Sequence, residues 1–583
     1  MVNELTTAAK ELLGVECRFA VHVPSKHPDM PDIHLIKEQR SYKDGTTESK
    51  LRFIKNFKRP FYITNQSKRN HKDKKEFEYI DNLMRKEVTQ SKLRDEVARL
   101  LGKGWSKDSI RQLAESPYLY GTDISSTALI KKLYIDKYPN LATPYSICTY
   151  DIETDVLHGT EDPIIATSVF QNKIHCVIVE SFIKGYTPVY DHLNRVLRKE
   201  LGSDTEGKYE VEFELATDTV DLIRKSFYKV HEWKPDFLAI WNMNFDIPRI
   251  LDTLKKYDVD PKDILCDPSV PEDYRICRYK KGADKKVTSS GKVKPVNPAM
   301  QWHTLFLTAS FYVIDAMCSY RYIRITGQED SSYALDAILN KEKIPGKLKF
   351  KEAEKFSGLA WHIFMQEKHP IEYTIYNIAD SLRMMQLEEQ TKDLSYVLPS
   401  SSFCSDFSDF KSQPKKITDA IYFHYLARGK IVGSTPPKIE EPEELKSHLS
   451  DEDSDTNEDD ESDEEKSDYD DNETLDLRNW ILTLPSHMQV NGLNIISEDP
   501  TISTNIRAFV FDSDAVSSYP TVTSVCNVSK ATTLKELITI EGYDEDIFRK
   551  QNLNLVLGSV NALEYSQIMF KMAMPHELLS IME

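Results

Sequence analysis

SICTYDIE (residues 146–153) is a short apolar run that ends in acid, and the segments after it repeat a strand–helix alternation. PIIATSVFQ (163–171) and KIHCVIVESF (173–182) read as strands joined through Asn172. A helix-like run follows at 188–200, then the alternating strand YEVEFELA (209–216). TVDLIRKSFYKVHEW (219–233) repeats apolar residues at three-to-four spacing, as a helix does. FLAIW (237–241) reads as a buried strand and DIPRILDTLKKY (246–257) as a helix. Strands interleaved with helices make this region α/β.

Three groups of carboxylates punctuate these elements. Asp151 and Glu153 stand at i and i+2 of a strand, so both side chains face the same side. Two carboxylates held that close repel unless a cation lies between them, and magnesium or manganese suits an oxygen-only set. Asp246, in Asn242-Met243-Asn244-Phe245-Asp246, stands at the start of the helix after FLAIW. By itself it reads as an ordinary helix cap. Tyr376 and Asp380 lie four residues apart in the helical run EYTIYNIADSLRMMQLEEQ (372–390) and so share a helix face. Asp315, in FYVIDAM (311–317), reads as an acid of a core strand and not as a ligand.

The order and spacing of the three groups give a combined signal stronger than any one. TYDIET, IWNMNFDIPRIL and YNIADSLRMMQLEEQ resemble the exonuclease motifs of family-B DNA polymerases, particularly those of large tailed bacteriophages. One departure is that two residues, where the family often has three, separate Asn242 from Phe245. The resemblance implies a ribonuclease-H-like exonuclease domain with a mixed sheet flanked by helices. It implies two Mg2+ or Mn2+ ions held by Asp151, Glu153, Asp246 and Asp380, with Tyr376 orienting the attacking water. Phe245 would stack on the frayed terminal base, and Asn242 would meet the DNA end. The segment YRICRYKKGADKKVTSSGKVKP (274–295), with eight Lys/Arg, stands where these polymerases carry a β-hairpin. Lys280 and Lys281 would contact DNA there. The implied partners are a primer-template and a single-stranded 3′ end, in the host cytoplasm for a viral protein.

RAFVFDSDAVSSYPTVTSV (507–525) resembles the first polymerase motif of the same family. Asp514 matches its metal-binding aspartate, which takes Mg2+. Ser517, Ser518 and Tyr519 match the segment that meets the deoxynucleoside triphosphate, although Ser518 replaces the usual Leu and Thr521 the usual Ser. Neither K-x3-N-S-x-Y-G nor D-T-D follows Pro520. The resemblance therefore implies the N-terminal part of a replicative polymerase, completed by a second polypeptide carrying fingers, thumb and the rest of the palm. Two alternatives remain open at this point: a stand-alone single-strand 3′→5′ exonuclease with a vestigial palm, and a non-catalytic nucleic-acid-binding subunit.

The length, 583 residues, suggests roughly three or four domains. The resemblance implies an N-terminal domain (1–145), an exonuclease domain (146–390), connecting helices that return to the N-terminal domain (391–438), an acidic insertion (439–476) and a partial palm (477–583). The multidomain class is thus α/β and α+β. Net charge is −18, yet residues 440–476 alone hold 20 Asp/Glu against two Lys, leaving 73 residues of each sign elsewhere. That acidic stretch has the composition of disorder. A neutral remainder can bind DNA through local cations. The basic segment 50–79 interleaves Lys55, Lys58, Arg59, Lys68, Arg69, Lys72, Lys74 and Lys75 with Phe53, Phe57, Phe61 and Tyr62. It reads either as a stacking surface for single-stranded nucleic acid or as a β-rich segment with core aromatics, and residues 76–114 read as helices. Eight scattered cysteines without a C-x2-C pair argue against structural zinc and fit a reducing cytoplasm. No apolar run is long enough to span a membrane, and the first residues lack the pattern of a secretory signal.

Overall fold

A computed structural model describes residues 11–24, 30–139, 141–287, 293–324, 330–401 and 413–435. The chain divides into two units, 1–462 and 463–583. The acidic insertion and the Asp514, Ser517, Ser518 and Tyr519 expectations lie outside the described residues.

The N-terminal region begins with β1 (Leu12–Val23), β2 (Ile33–Tyr42) and β3 (Thr47–Lys55), an antiparallel sheet in that order. β4 (Lys58–Thr64), β5 (Phe77–Tyr79), β6 (Leu83–Thr89) and β7 (Leu119–Tyr120) follow, with β4 between β6 and β7. The helices are α1 (Leu93–Leu100), α2 (Ile110–Leu113) and α3 (Ser126–Lys137). Part of the aromatic–basic segment is built into the interior. Phe61 and Tyr62 are core residues. Arg59 is buried and donates to the carbonyls of Gly121 and Thr122 at 3.1 and 3.2 Å. Lys74 donates to the Ala114 carbonyl. The helical expectation for 76–114 is corrected over β5 and β6: Leu83–Thr89 pairs along β4, and its exposed Arg85 and Glu87 alternate with more buried neighbours at the period of a strand.

The second sheet has eight strands and mixed direction. Its members are β8 (Ile147–Thr154), β9 (Pro163–Phe170), β10 (Lys173–Val179), β11 (Glu210–Ala216), β12 (Phe237–Ile240), β13 (Cys277–Lys280), β16 (Thr304–Leu307) and β17 (Tyr312–Asp315). A separate hairpin, β14 (Lys285–Val287) with β15 (Val293–Pro295), follows β13. The order is β11-β10-β9-β8-β12-β17-β16-β13, with β8, β12 and β17 parallel at the centre. The helices of this part are α4 (Val189–Thr205), α5 (Thr219–Trp233), α6 (Met243–Lys256), α7 (Pro261–Leu265), α8 (Ala316–Ile323), α9 (Leu335–Lys341), α10 (Leu359–Lys368) and α11 (Pro370–Thr391). Tyr150 and Ile152 of β8 pack in a core with Phe227 of α5 and Ile247 of α6. A second core joins Ile165 and Val169 of β9 to Leu193 of α4 and Ile378 and Leu382 of α11. Helices therefore cover both faces, as buried central parallel strands require. The chain then runs through α12 (Leu398–Ser401) and α13 (Gln413–Leu426) to β18 (Lys430–Val432), which pairs with β5. Lys37 of β2 is buried against Asp236, just before β12, with its ammonium 2.7 Å from the carboxylate. No helix among the described residues is long and apolar enough to cross a membrane.

Candidate metal centre

The alternation of β8 decides which side chains meet. Tyr150 and Ile152 enter the core on one face, so Asp151 and Glu153 point to the other. Pairing of β8 with β12 ends at Thr149 opposite Ala239, two residues before Asp151. The acids thus stand at the carboxyl ends of the parallel strands, where open α/β sheets place their ligands. Helix α11 crosses this face and is tied down there. Thr149 donates its hydroxyl to the Ser381 carbonyl at 2.8 Å, and the Ser381 hydroxyl donates to the Thr167 carbonyl at 3.3 Å. Those bonds bring Asp380 beside the strand acids. One carboxylate oxygen from each of Asp151, Glu153 and Asp380 lies within 4.8 Å of the others.

Asp246 occupies the first turn of α6 and is 2% exposed. Its Oδ1 accepts the Ile152 N–H at 3.3 Å, which sets it beside the peptide between Asp151 and Glu153. It is not in the mutual group of three. Burial pushes all four carboxyls up. Asp151 rises well above its ordinary range, first by burial and then by Asp246, Asp380 and Glu153. Burial raises Glu153 to about 7, with Tyr373 opposing, and Asp246 to about 8, with the Ile152 N–H opposing. Asp380 also rises by burial, opposed chiefly by Lys347. A site that crowds acids and raises their proton affinity holds stored repulsion that a divalent cation relieves.

Lys347 was not anticipated. Its ammonium donates to Asp380 Oδ2 at 2.6 Å and to the Tyr376 hydroxyl at 2.9 Å. Burial opposes its charge, but Asp380 and Tyr376 outweigh that and hold its pKa above the ordinary value. Burial, and then Asp380, push the Tyr376 phenol up, so it keeps its proton. Asn377 donates to Asp151 Oδ2 at 2.7 Å, and Tyr373 donates to Glu153 Oε2 at 2.5 Å. His362 lies 2.8 Å from the Tyr373 hydroxyl. Tyr373 and Asn377 fall one helical turn from Tyr376 and Asp380, so the i+3 and i+4 rule could have found them. Lys347 follows α9 in a segment with no periodic signal, and only the folded chain brings it in.

The donor set fits a hard divalent ion. Every candidate ligand is a carboxylate oxygen, and Asp380 Oδ1 is buried without a hydrogen-bond partner. Asn242, Phe245, Lys280 and Lys281 are not members of this group. Asn242 is exposed just before α6. Phe245 is 37% exposed, with the Arg249 guanidinium 3.8 Å over its ring. Lys280 ends β13, and Lys281 pairs with Asp284 at 3.0 Å before the hairpin. Asp315 has a structural task. It accepts the N–H groups of Cys318 at 2.9 Å and Met243 at 3.2 Å, thereby fixing the starts of α8 and α6. Compared with known proteins, the chain matches no family model and no curated sequence.

Proposed function

We propose that this chain is a metal-dependent exonuclease that removes nucleotides from the 3′ end of single-stranded DNA, on a ribonuclease-H-like framework. The observation that carries the reading is the convergence of Asp151, Glu153 and Asp380 at the carboxyl ends of parallel strands, with Asp246 against the same strand. Asp151, Glu153, Asp246 and Asp380 would hold two Mg2+ or Mn2+ ions. Such ions acidify a bound water and stabilise charge on phosphoryl and leaving oxygens.

The chain's own groups supply the rest. Tyr376 keeps its phenolic proton and orients the attacking water by hydrogen bond. Lys347 fixes Tyr376 and Asp380 together and adds a cation beside the developing phosphate charge. Asn377 and Tyr373 hold the strand acids in fixed rotamers. The exposed ring of Phe245 offers a stacking face for the terminal base. Lys280 and Lys281 supply positive charge for the phosphate backbone. The likeness at Asp514 adds that the exonuclease serves DNA synthesis as part of a family-B DNA polymerase.

The test is a single strand labelled at its 5′ end, incubated with the protein and Mg2+. A ladder shortening one nucleotide at a time and release of nucleoside 5′-monophosphates is the expected result. Internal cuts, or shortening from the 5′ end, would overturn the proposal.

A further inference from the structure

We propose that Tyr279 is a positioning residue that couples the basic hairpin β14–β15 to the turn carrying Phe245 and Asp246. The inference rests on the exonuclease reading. Its basis is a hydrogen-bond chain between the two. Tyr279 of β13 reaches Asn244 Oδ1 at 3.2 Å, in the first turn of α6 and next to Phe245. The same hydroxyl lies 3.0 Å from His303 Nδ1. Gly282, at the foot of the hairpin, approaches that nitrogen with its backbone N–H at 3.2 Å. His303 Nε2 meets Gln301 Oε1 at 3.2 Å.

Donor and acceptor rules fix the protons. A backbone N–H only donates, so Gly282 makes Nδ1 the acceptor. Nε2 then carries the ring proton and donates to Gln301. Burial, and then Lys281, press the His303 pKa down to about 4, in keeping with a neutral ring. Nδ1 has one lone pair, which the Gly282 N–H and the Tyr279 hydroxyl both approach, and the hydroxyl also donates to Asn244 Oδ1. If the hairpin moves and withdraws the Gly282 N–H, Nδ1 becomes free to compete for the hydroxyl proton, and Asn244 is released.

The foot of the hairpin is also sterically registered. A Cβ on Gly282 would come within 1.4 Å of the Gln301 carbonyl oxygen, so this close approach requires glycine. A displacement of the hairpin foot is thus transmitted to His303. The Tyr279 and His303 rings stack at 7°, an arrangement that does not need the hydroxyl.

The experiment compares Tyr279→Phe, Asn244→Ala and the double variant with the parent chain. Substrates are a free single strand and a duplex with mismatched 3′ primer ends. Thermal melting confirms folding. For Tyr279→Phe, the account expects kcat/KM on the mismatched duplex to fall about fivefold, the worth of one hydrogen bond, with the free strand within about twofold. The double variant should be no worse than the poorer single one. Equal loss on both substrates, no loss on the duplex, or additive losses would overturn the coupling. A parent chain without exonuclease activity would instead overturn the underlying reading.

Discussion

Raising the pH should destabilise the metal-free protein, and divalent metal should cancel that loss. The carboxyl of Glu153 has an ordinary pKa of 4.5 and is pushed to about 7 in the fold, chiefly by burial. A carboxyl with a higher pKa in the folded than in the unfolded chain favours the fold at low pH. That contribution is complete below the unfolded value and is lost as pH rises through the folded one. Glu153 alone therefore removes about 3 kcal/mol between pH 4.5 and 7, at ~1.4 kcal/mol per pH unit. Asp246, raised from 3.8 to about 8, acts in the same direction and extends the window to pH 8. For the unit 1–462 that carries the site, an unfolding entropy of ~2.1 cal/mol/K per residue makes about 3 kcal/mol worth about 3 °C in Tm. The assay is thermal melting from pH 5 to 8 in chelator and in excess Mg2+. Binding to ionised acids adds about 2.7 kcal/mol at a hundredfold excess over Kd. The gap between the two series should therefore widen with pH. Glu153→Gln should flatten the chelator series and shrink the gap. A Tm in chelator that rises towards pH 8, or a metal effect no larger at pH 8 than at pH 5, would refute the reasoning.

Other perturbations probe separate contacts. Lys347→Met removes the ammonium 2.6 Å from Asp380. Because a unit charge at 4 Å is worth ~4 kcal/mol at an effective dielectric near 20, titration with Mn2+ should show affinity tightened at least about fivefold while turnover falls. Phe245→Ala should leave Tm unchanged and weaken binding of a single-stranded end by about 1–3 kcal/mol, read by fluorescence anisotropy. Lys37→Met strands Asp236 as a buried, unpaired acid and should cost about 3–5 kcal/mol, measured by denaturant unfolding, with no change in metal affinity.

The legible parts of the sequence were those with a local period. β8 announced itself as a short apolar run ending in Asp151 and Glu153, and α11 through the four-residue spacing of Tyr376 and Asp380. Other features depend on partners far along the chain. Arg59 stood in a segment that read either as a surface for single-stranded nucleic acid or as a β-rich piece with core aromatics, and the carbonyls of Gly121 and Thr122 satisfy it inside the protein. β6 is short, and its alternation covers too few residues to separate a strand from a helix without β4 beside it. Lys347 has no pattern at all and is defined by Asp380, 33 positions later. Asp315 was read as a core acid near the site, and its ties to Met243 and Cys318 give that position a reason.

The central claim is that the converging acids cut phosphodiester bonds at a 3′ end. Its most direct measurement follows the full chain and its Asp151→Ala plus Glu153→Ala variant on a labelled single strand with Mg2+. The account predicts stepwise 3′ shortening by the parent and a loss of at least about a thousandfold in the folded variant, as when groups that stabilise a transition state are removed. Shortening that survives the double substitution would contradict it.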